Sequence, residues 1–260
     1  SFIEPEIMRQ SLKLYHTNKL FQFLSFHFGQ EATEELMLRY HVGTSKHWPG
    51  ATVFWQVDIS GRVRTGKVML YNPENGRRIK EPHNYITWVH SLLKKENFNL
   101  RQCLFGEHLL TSDQQRPVAL VESEKSALIS SFYLPQYLWI ASGGKNGAFN
   151  RDAMSVLLFP DLGATDYWNS KMEMIRSLGI EVSLFDFMER NATKEERDAG
   201  YDIADFLLRE ETKEAILNRL ITLNPALKTL VETFDLQLVD VKKAPFSATV
   251  QHAREGLFKR

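Results

Sequence analysis

Glu122 closes the apolar run in "VALVESEKSAL", residues 118–128, and Asp161 ends a second apolar run in "SVLLFPDLGATDYW", residues 155–168. In both stretches a short strand pattern gives way to a helical one just after the carboxylate. Open parallel sheets bind ligands beyond the carboxyl ends of their strands, so both acids are aimed where chemistry is done. Two carboxylates brought together there repel, and one would take up a proton unless a cation sits between them. Oxygen donors with no neighbouring His or Cys suit Mg²⁺ or Mn²⁺ rather than zinc. Such an ion can hold a substrate phosphate and offset charge in phosphoryl transfer. The same acids could equally cap the helices that follow them, and spacing leaves both readings open.

The elements that must position these acids alternate from Val118 onward. Strands are expected over Val118–Glu122, Leu138–Ser142, Val156–Asp161 and Glu181–Phe185. Helices are expected at Ser126–Phe132 and Trp168–Leu178, the second stopped by Gly179. Short apolar strands separated by helices imply parallel βαβ units with right-handed crossovers. Upstream, Leu20, Phe23, Leu24 and Phe28 form one helical stripe, and "QEATEELMLRY" reads as a second helix. "ATVFWQVDISGRVRTGKVMLY" then reads as two strands joined at Ser60-Gly61, with "NPENG" as a further turn. Helical patterns return at "YDIADFLL" and over residues 211–235, and the last 25 residues are the least legible. The fold class is therefore α/β: a mixed helix-and-hairpin region at 1–115, a parallel-sheet βα domain at 116–210 and a helical extension at 211–260.

Residues 62–80 hold Arg62, Arg64, Lys67, Arg77, Arg78 and Lys80 against only Glu74. Clustered cations of this kind suit the phosphates of a single strand, although a solvated hairpin has the same composition. Lys145, in "SGGKNG", is a further phosphate candidate, but the stretch lacks the spacing and the Lys-Ser/Thr ending of a P-loop. Trp48, Trp55 and Trp88 could stack on bases, yet the apolar run around Trp55 favours packing. The 8 histidines are scattered without metal-ligand spacing, and the lone Cys103 excludes an internal disulfide or a thiolate zinc cluster. Lys plus Arg and Asp plus Glu both number 32, so a polyanion partner must be met by a local patch. No run approaches a membrane span and no signal peptide is visible, which points to a reducing cytoplasm.

"VALVESEKSAL" followed by "ASGG" and "LLFPDLGATD" resembles the Toprim domain of bacterial-type DNA primases and topoisomerases. "GYDIADFLL" is similar to the Asp-x-x-Asp-x-Leu segment that follows in plasmid and phage primases, matched by Asp202, Asp205 and Leu207. "YHVGTS", the hairpin "VFWQVDISGRVRTGKVMLY" and "LFGEHLL" resemble, in the same order, the segments that precede Toprim in primase catalytic cores. The resemblance covers roughly residues 36–210. An ordered series of short motifs is far more specific than any one of them.

The resemblance implies a Toprim-like domain behind a primase-core-like subdomain, and primer synthesis in the replication of a plasmid, phage or mobile element. The nucleotidyl transfer would use Mg²⁺ or Mn²⁺, single-stranded DNA and nucleoside triphosphates, with a helicase or a separate zinc-binding module as further partners. Glu122 matches the family glutamate, and Asp161 matches the first Asp of Asp-x-Asp. The second is absent: the chain reads Asp161-Leu162-Gly163, and glycine has no side chain to offer a cation. Asp166, five residues beyond Asp161, could substitute if the turn folds back or could equally cap the helix that holds Trp168, and Asp202 and Asp205 are further acids associated with the domain. The alternatives are a non-catalytic nucleic-acid-binding module with a degenerate site and, against the grain of the upstream motifs, a Toprim nuclease.

Overall fold

A computed structural model of the chain describes residues 1–113, 115–143, 155–209 and 211–236. Three helices open the chain: α1 (Pro5–Ser11), α2 (Lys19–Phe28) and α3 (Gln30–Arg39). The helical stripe begins at α2 because Asn18 caps it, its side chain accepting from Leu20 N at 3.0 Å and Phe21 N at 3.1 Å. An antiparallel sheet follows, in the order β1 (Val42–Ser45), β2 (Ala51–Val57), β3 (Val63–Met69), β4 (Ile86–Trp88). Periodicity revealed only β2 and β3, because β1 and β4 are short and contain Gly43, Ser45 and Thr87. Short helices α4 (Val89–Leu92) and α5 (Leu109–Ser112) lead to the second half.

That half is a parallel sheet in the order β6 (Leu138–Ala141), β5 (Val118–Val121), β7 (Ser155–Leu158), β8 (Glu181–Leu184). Between and after these strands come α6 (Glu124–Tyr133) and α7 (Thr165–Ser177). The chain continues through α8 (Phe187–Asn191), α9 (Lys194–Ala199), α10 (Ile203–Leu207), α11 (Lys213–Leu223) and α12 (Ala226–Thr233). Mixed α/β architecture with a parallel sheet is thus as expected from the strand–helix alternation. Each strand is shorter than its apolar run. β7 stops at Leu158, ahead of Pro160, which has no N–H to give to a ladder.

One apolar core runs through both halves, from Tyr15, Phe21 and Phe54 to Leu120, Trp139, Phe159 and Ile175. Tyr40 crosses between them: its ring stacks on Phe105 with centroids 5.4 Å apart, and its hydroxyl donates to Trp139 O at 2.8 Å. A second, smaller core on the other face of the antiparallel sheet gathers Ile3, Val53, Trp55, Val63 and Val68. Trp55 is 1% exposed, so it packs rather than stacks on a base. On the outer edge of β6, Phe105 exchanges backbone hydrogen bonds with Ala141 at 2.9 and 3.0 Å.

Candidate functional site

β5 lies between β6 and β7, and the ladder persists beyond it: Ser142 N donates to Val121 O at 3.0 Å and Phe159 N to Leu120 O at 2.8 Å. Glu122, one residue past β5, and Asp161, three past β7, therefore emerge at the carboxyl ends of neighbouring parallel strands. Ser123, two residues on from Val121, caps α6 through its hydroxyl, which accepts from Ser126 N at 3.1 Å. That leaves Glu122 out of the cap. Glu122 is 7% exposed, and its carboxylate accepts instead from the indole N–H of Trp168, Nε1 to Oε1 at 2.9 Å.

The Asp161 turn is fixed by its backbone. Leu162 N donates to Tyr201 O at 2.9 Å, and Ala164 N to Asp161 O at 2.9 Å. Gly163, where the resemblance calls for a second aspartate, has φ +81°, a left-handed conformation that favours glycine. Its N–H donates to Glu189 Oε2 at 2.9 Å, and the Thr165 hydroxyl donates to the same oxygen at 3.2 Å. The Gly163 N–H, with the Thr165 hydroxyl and Arg197, holds the Glu189 carboxyl below its usual range against the opposing effect of burial.

Asp166 sits exposed in the first turn of α7, while Trp168, two residues on, turns into the core. No group of three or more His, Cys, Asp or Glu side chains able to share an ion exists among the described residues. The expected trio of Glu122, Asp161 and Asp166 is thus not drawn together, because the helical start at Thr165 commits Asp166 to the solvent side. The donor set that remains is all oxygen. It fits a Mg²⁺ or Mn²⁺ held by one or two carboxylates and by substrate phosphates, the usual magnesium arrangement, and does not fit an all-protein cage.

The second pair of acids forms a cap. Asp202 accepts from Ala204 N at 2.8 Å and Asp205 N at 3.1 Å, and Asp205 accepts in return from Asp202 N at 3.0 Å. The Ser126 hydroxyl also donates to Asp202, which ties this cap to α6. Burial, and then the charge of Asp202, pushes the Asp205 carboxyl above its usual range, with Lys125 and Arg77 acting in the opposite sense.

The basic hairpin divides into three. Arg62 and Arg64 both bind Asp58, at 2.9 and 2.7 Å, and lie over the Phe2 ring at 5.2 and 4.8 Å from its centroid. Lys67 is an odd number of strand positions from Arg64 and so faces the other way. Only 8% exposed, it donates to both Glu124 oxygens at 3.1 and 3.2 Å and to Gly143 O at 3.1 Å. A charge expected on an outer groove is therefore spent on a buried ion pair between the two halves. Arg77 and Arg78 follow the turn at Gly76, whose carbonyl accepts from Lys125 Nζ at 3.2 Å. Arg77 is exposed and Arg78 half-buried. Lys145 lies outside the described residues.

Sequence reading missed Trp168 and Glu189 as partners of the site, since neither matches a motif, and it missed the pairing of Lys67 with Glu124. It also left His41 and His108 unpaired. Their rings stack 4.2 Å apart, and both Nδ1 atoms are buried without a partner. The Arg39 carbonyl, 3.0 Å from His108 Nε2, requires the proton there.

The fold and the site together describe an α/β protein with carboxylates at the edge of a parallel sheet and an antiparallel sheet packed beside it. Within that class, the chain belongs to the family described as Domain of unknown function (DUF6371), whose model matches residues 18–162. No curated protein matches it. Among solved structures it is similar to the RNA polymerase domain of Mycobacterium tuberculosis primase DnaG, at 10% identity and TM-score 0.46, over 98% of this chain and 96% of that one. It is similar also to the zinc-binding and RNA polymerase domains of the Aquifex aeolicus primase (12%, TM-score 0.41), covering 82% of this chain and 65% of that chain. A third is the DnaG primase catalytic domain bound to ssDNA (14%, TM-score 0.40), with 88% of this chain and 89% of that chain covered.

Proposed function

We propose that the chain carries out primase-like nucleotidyl transfer on a single-stranded DNA template in the replication of a plasmid, phage or mobile element. The observation that carries this reading is the delivery of Glu122 and Asp161 to the carboxyl ends of adjacent strands, in a chain whose motifs follow the order of primase cores. The substrates are a primer terminus and a nucleoside triphosphate. The primer 3′-hydroxyl oxygen forms a bond to the α-phosphorus while the bond to the pyrophosphate leaving group breaks. Mg²⁺ or Mn²⁺, when bound, supplies charge stabilisation at the transferring phosphate. Glu122 and Asp161 would hold the ion and, through it, the substrate phosphates, or Glu122 would instead accept the hydroxyl proton. Arg77 and Arg78, with Lys145 as a further candidate, contact phosphates, and a helicase or a separate zinc-binding module would complete the machinery.

The test is Mn²⁺ titration together with primer synthesis. The native chain binds the ion and incorporates nucleotide, and Glu122→Gln and Asp161→Asn each abolish both. Absence of binding, with and without nucleotide, overturns the catalytic reading. A second reading, a nucleic-acid-binding module that does no chemistry, is favoured by Gly163 and by the absence of a three-acid group among the described residues. It predicts salt-sensitive single-strand binding without metal dependence.

A further inference from the structure

We infer that Trp168 is the positioning residue for Glu122: its indole N–H engages Oε1 and leaves Oε2 as the oxygen presented at the sheet edge. This deepens the catalytic reading above and rests on it for its consequence in turnover. Both partners are buried, Trp168 at 5% and Glu122 at 7% exposure, and the bond is 2.9 Å. A buried indole N–H needs an acceptor, and a carboxylate at a strand end otherwise turns freely about its side-chain torsions. The bond also links the two acid-bearing segments. Trp168 N donates to Ala164 O at 3.1 Å, and Ala164 N donates in turn to Asp161 O at 2.9 Å. A short chain of hydrogen bonds therefore runs from the Glu122 carboxylate to the Asp161 turn without passing through a cation. The indole is a neutral donor, so it orients the Glu122 carboxylate without adding negative charge.

Three variants test the inference: Trp168→Phe, which keeps an aromatic ring and removes the N–H, Glu122→Gln, and the double substitution. The chain has five tryptophans, and the indole N–H resonance that vanishes in Trp168→Phe is that of Trp168. In the native protein this resonance lies downfield, as a hydrogen bond to carboxylate requires. It moves upfield in Glu122→Gln and shifts on addition of Mg²⁺. Trp168→Phe lowers kcat for nucleotide incorporation about ten- to a hundredfold, the scale of a misplaced reacting group, with the nucleotide KM unchanged. A role confined to packing would instead lower the melting temperature equally in the native and Glu122→Gln backgrounds. The inference falls if the Trp168 resonance ignores Glu122→Gln, or if Trp168→Phe turns over at the native rate. Should the native chain incorporate no nucleotide, the polymerase reading fails, and the indole resonance still decides whether Trp168 holds Glu122.

Discussion

Lys67 and Glu124 illustrate how little a side chain's charge says about its use. Lys67 was expected on a phosphate-facing surface, but strand alternation sends it inward, and its ammonium meets a carboxylate that is 2% exposed. Removing one member of a buried pair leaves the other unsatisfied. Lys67→Met is therefore expected to cost about 3–5 kcal/mol, and the double variant Lys67→Met/Glu124→Gln markedly less. Denaturant midpoints of the single and double variants check this, and equal losses would refute it. Asp205 behaves differently. Its folded-state carboxyl lies above the ordinary value, so the folded chain holds that proton more tightly than the unfolded chain does. That contribution is present at low pH and lost as pH rises through the folded value, leaving a penalty at pH 7. Asp205→Asn, which keeps an oxygen for the Asp202 N–H, should therefore melt above the native protein at pH 7. The difference should vanish below about pH 4, where aspartates are protonated in both states.

Among the elements, the turn at Gly76 packs against α2 and accepts from Lys125. A Cβ there would lie 2.4 Å from the Phe23 ring, and φ is +64°. Gly76→Ala therefore meets both a left-handed backbone and the face of α2. It should cost about 2–4 kcal/mol, combining the αL penalty with overpacking. Because Arg77 and Arg78 follow directly, the proposed single-strand binding should weaken along with the melting temperature. A variant that melts lower and binds normally would exclude these arginines from the interface. The alternation of strands and helices after Val118 was legible because buried parallel strands are continuous apolar runs. The antiparallel edges β1 and β4 were not, because a short strand with one partner need not be apolar. The acids of the site could be read from their place at strand ends. Trp168 and Glu189 could not, since their partners lie 46 and 26 residues away along the chain, and a contact of that kind leaves no local pattern.

At the scale of the whole molecule, the core shared by the two sheets predicts one cooperative unfolding transition, with near- and far-UV signals coincident, in place of two steps. The His41–His108 stack predicts its acid limit. Burial, and then His41, pushes the His108 imidazole down to about 4, and burial lowers His41 as well. The unfolded chain therefore takes up these protons first, and the contribution to stability is present above the ordinary value of about 6.5 and lost as pH falls toward 4. Melting temperatures measured from pH 7 to 4.5 should decline, and His108→Gln, which can still donate to Arg39 O, should flatten the decline. With equal numbers of acidic and basic residues, the proposed binding to DNA would depend on local cations and should weaken with salt only as steeply as a few phosphate contacts allow. No helix among the described residues is long and apolar enough to cross a membrane.

The two hydrogen bonds between Phe105 and Ala141 have a further consequence. An open edge of a parallel sheet is a template on which a second chain can add a strand, and all four residues of β6 are apolar and buried. Phe105 occupies the Ala141 end of that template from within the same chain. Phe105→Pro would remove the N–H that seals it. The expected result is a protein that self-associates into β-rich aggregates at concentrations where the native chain stays monodisperse, with light scattering as the measure.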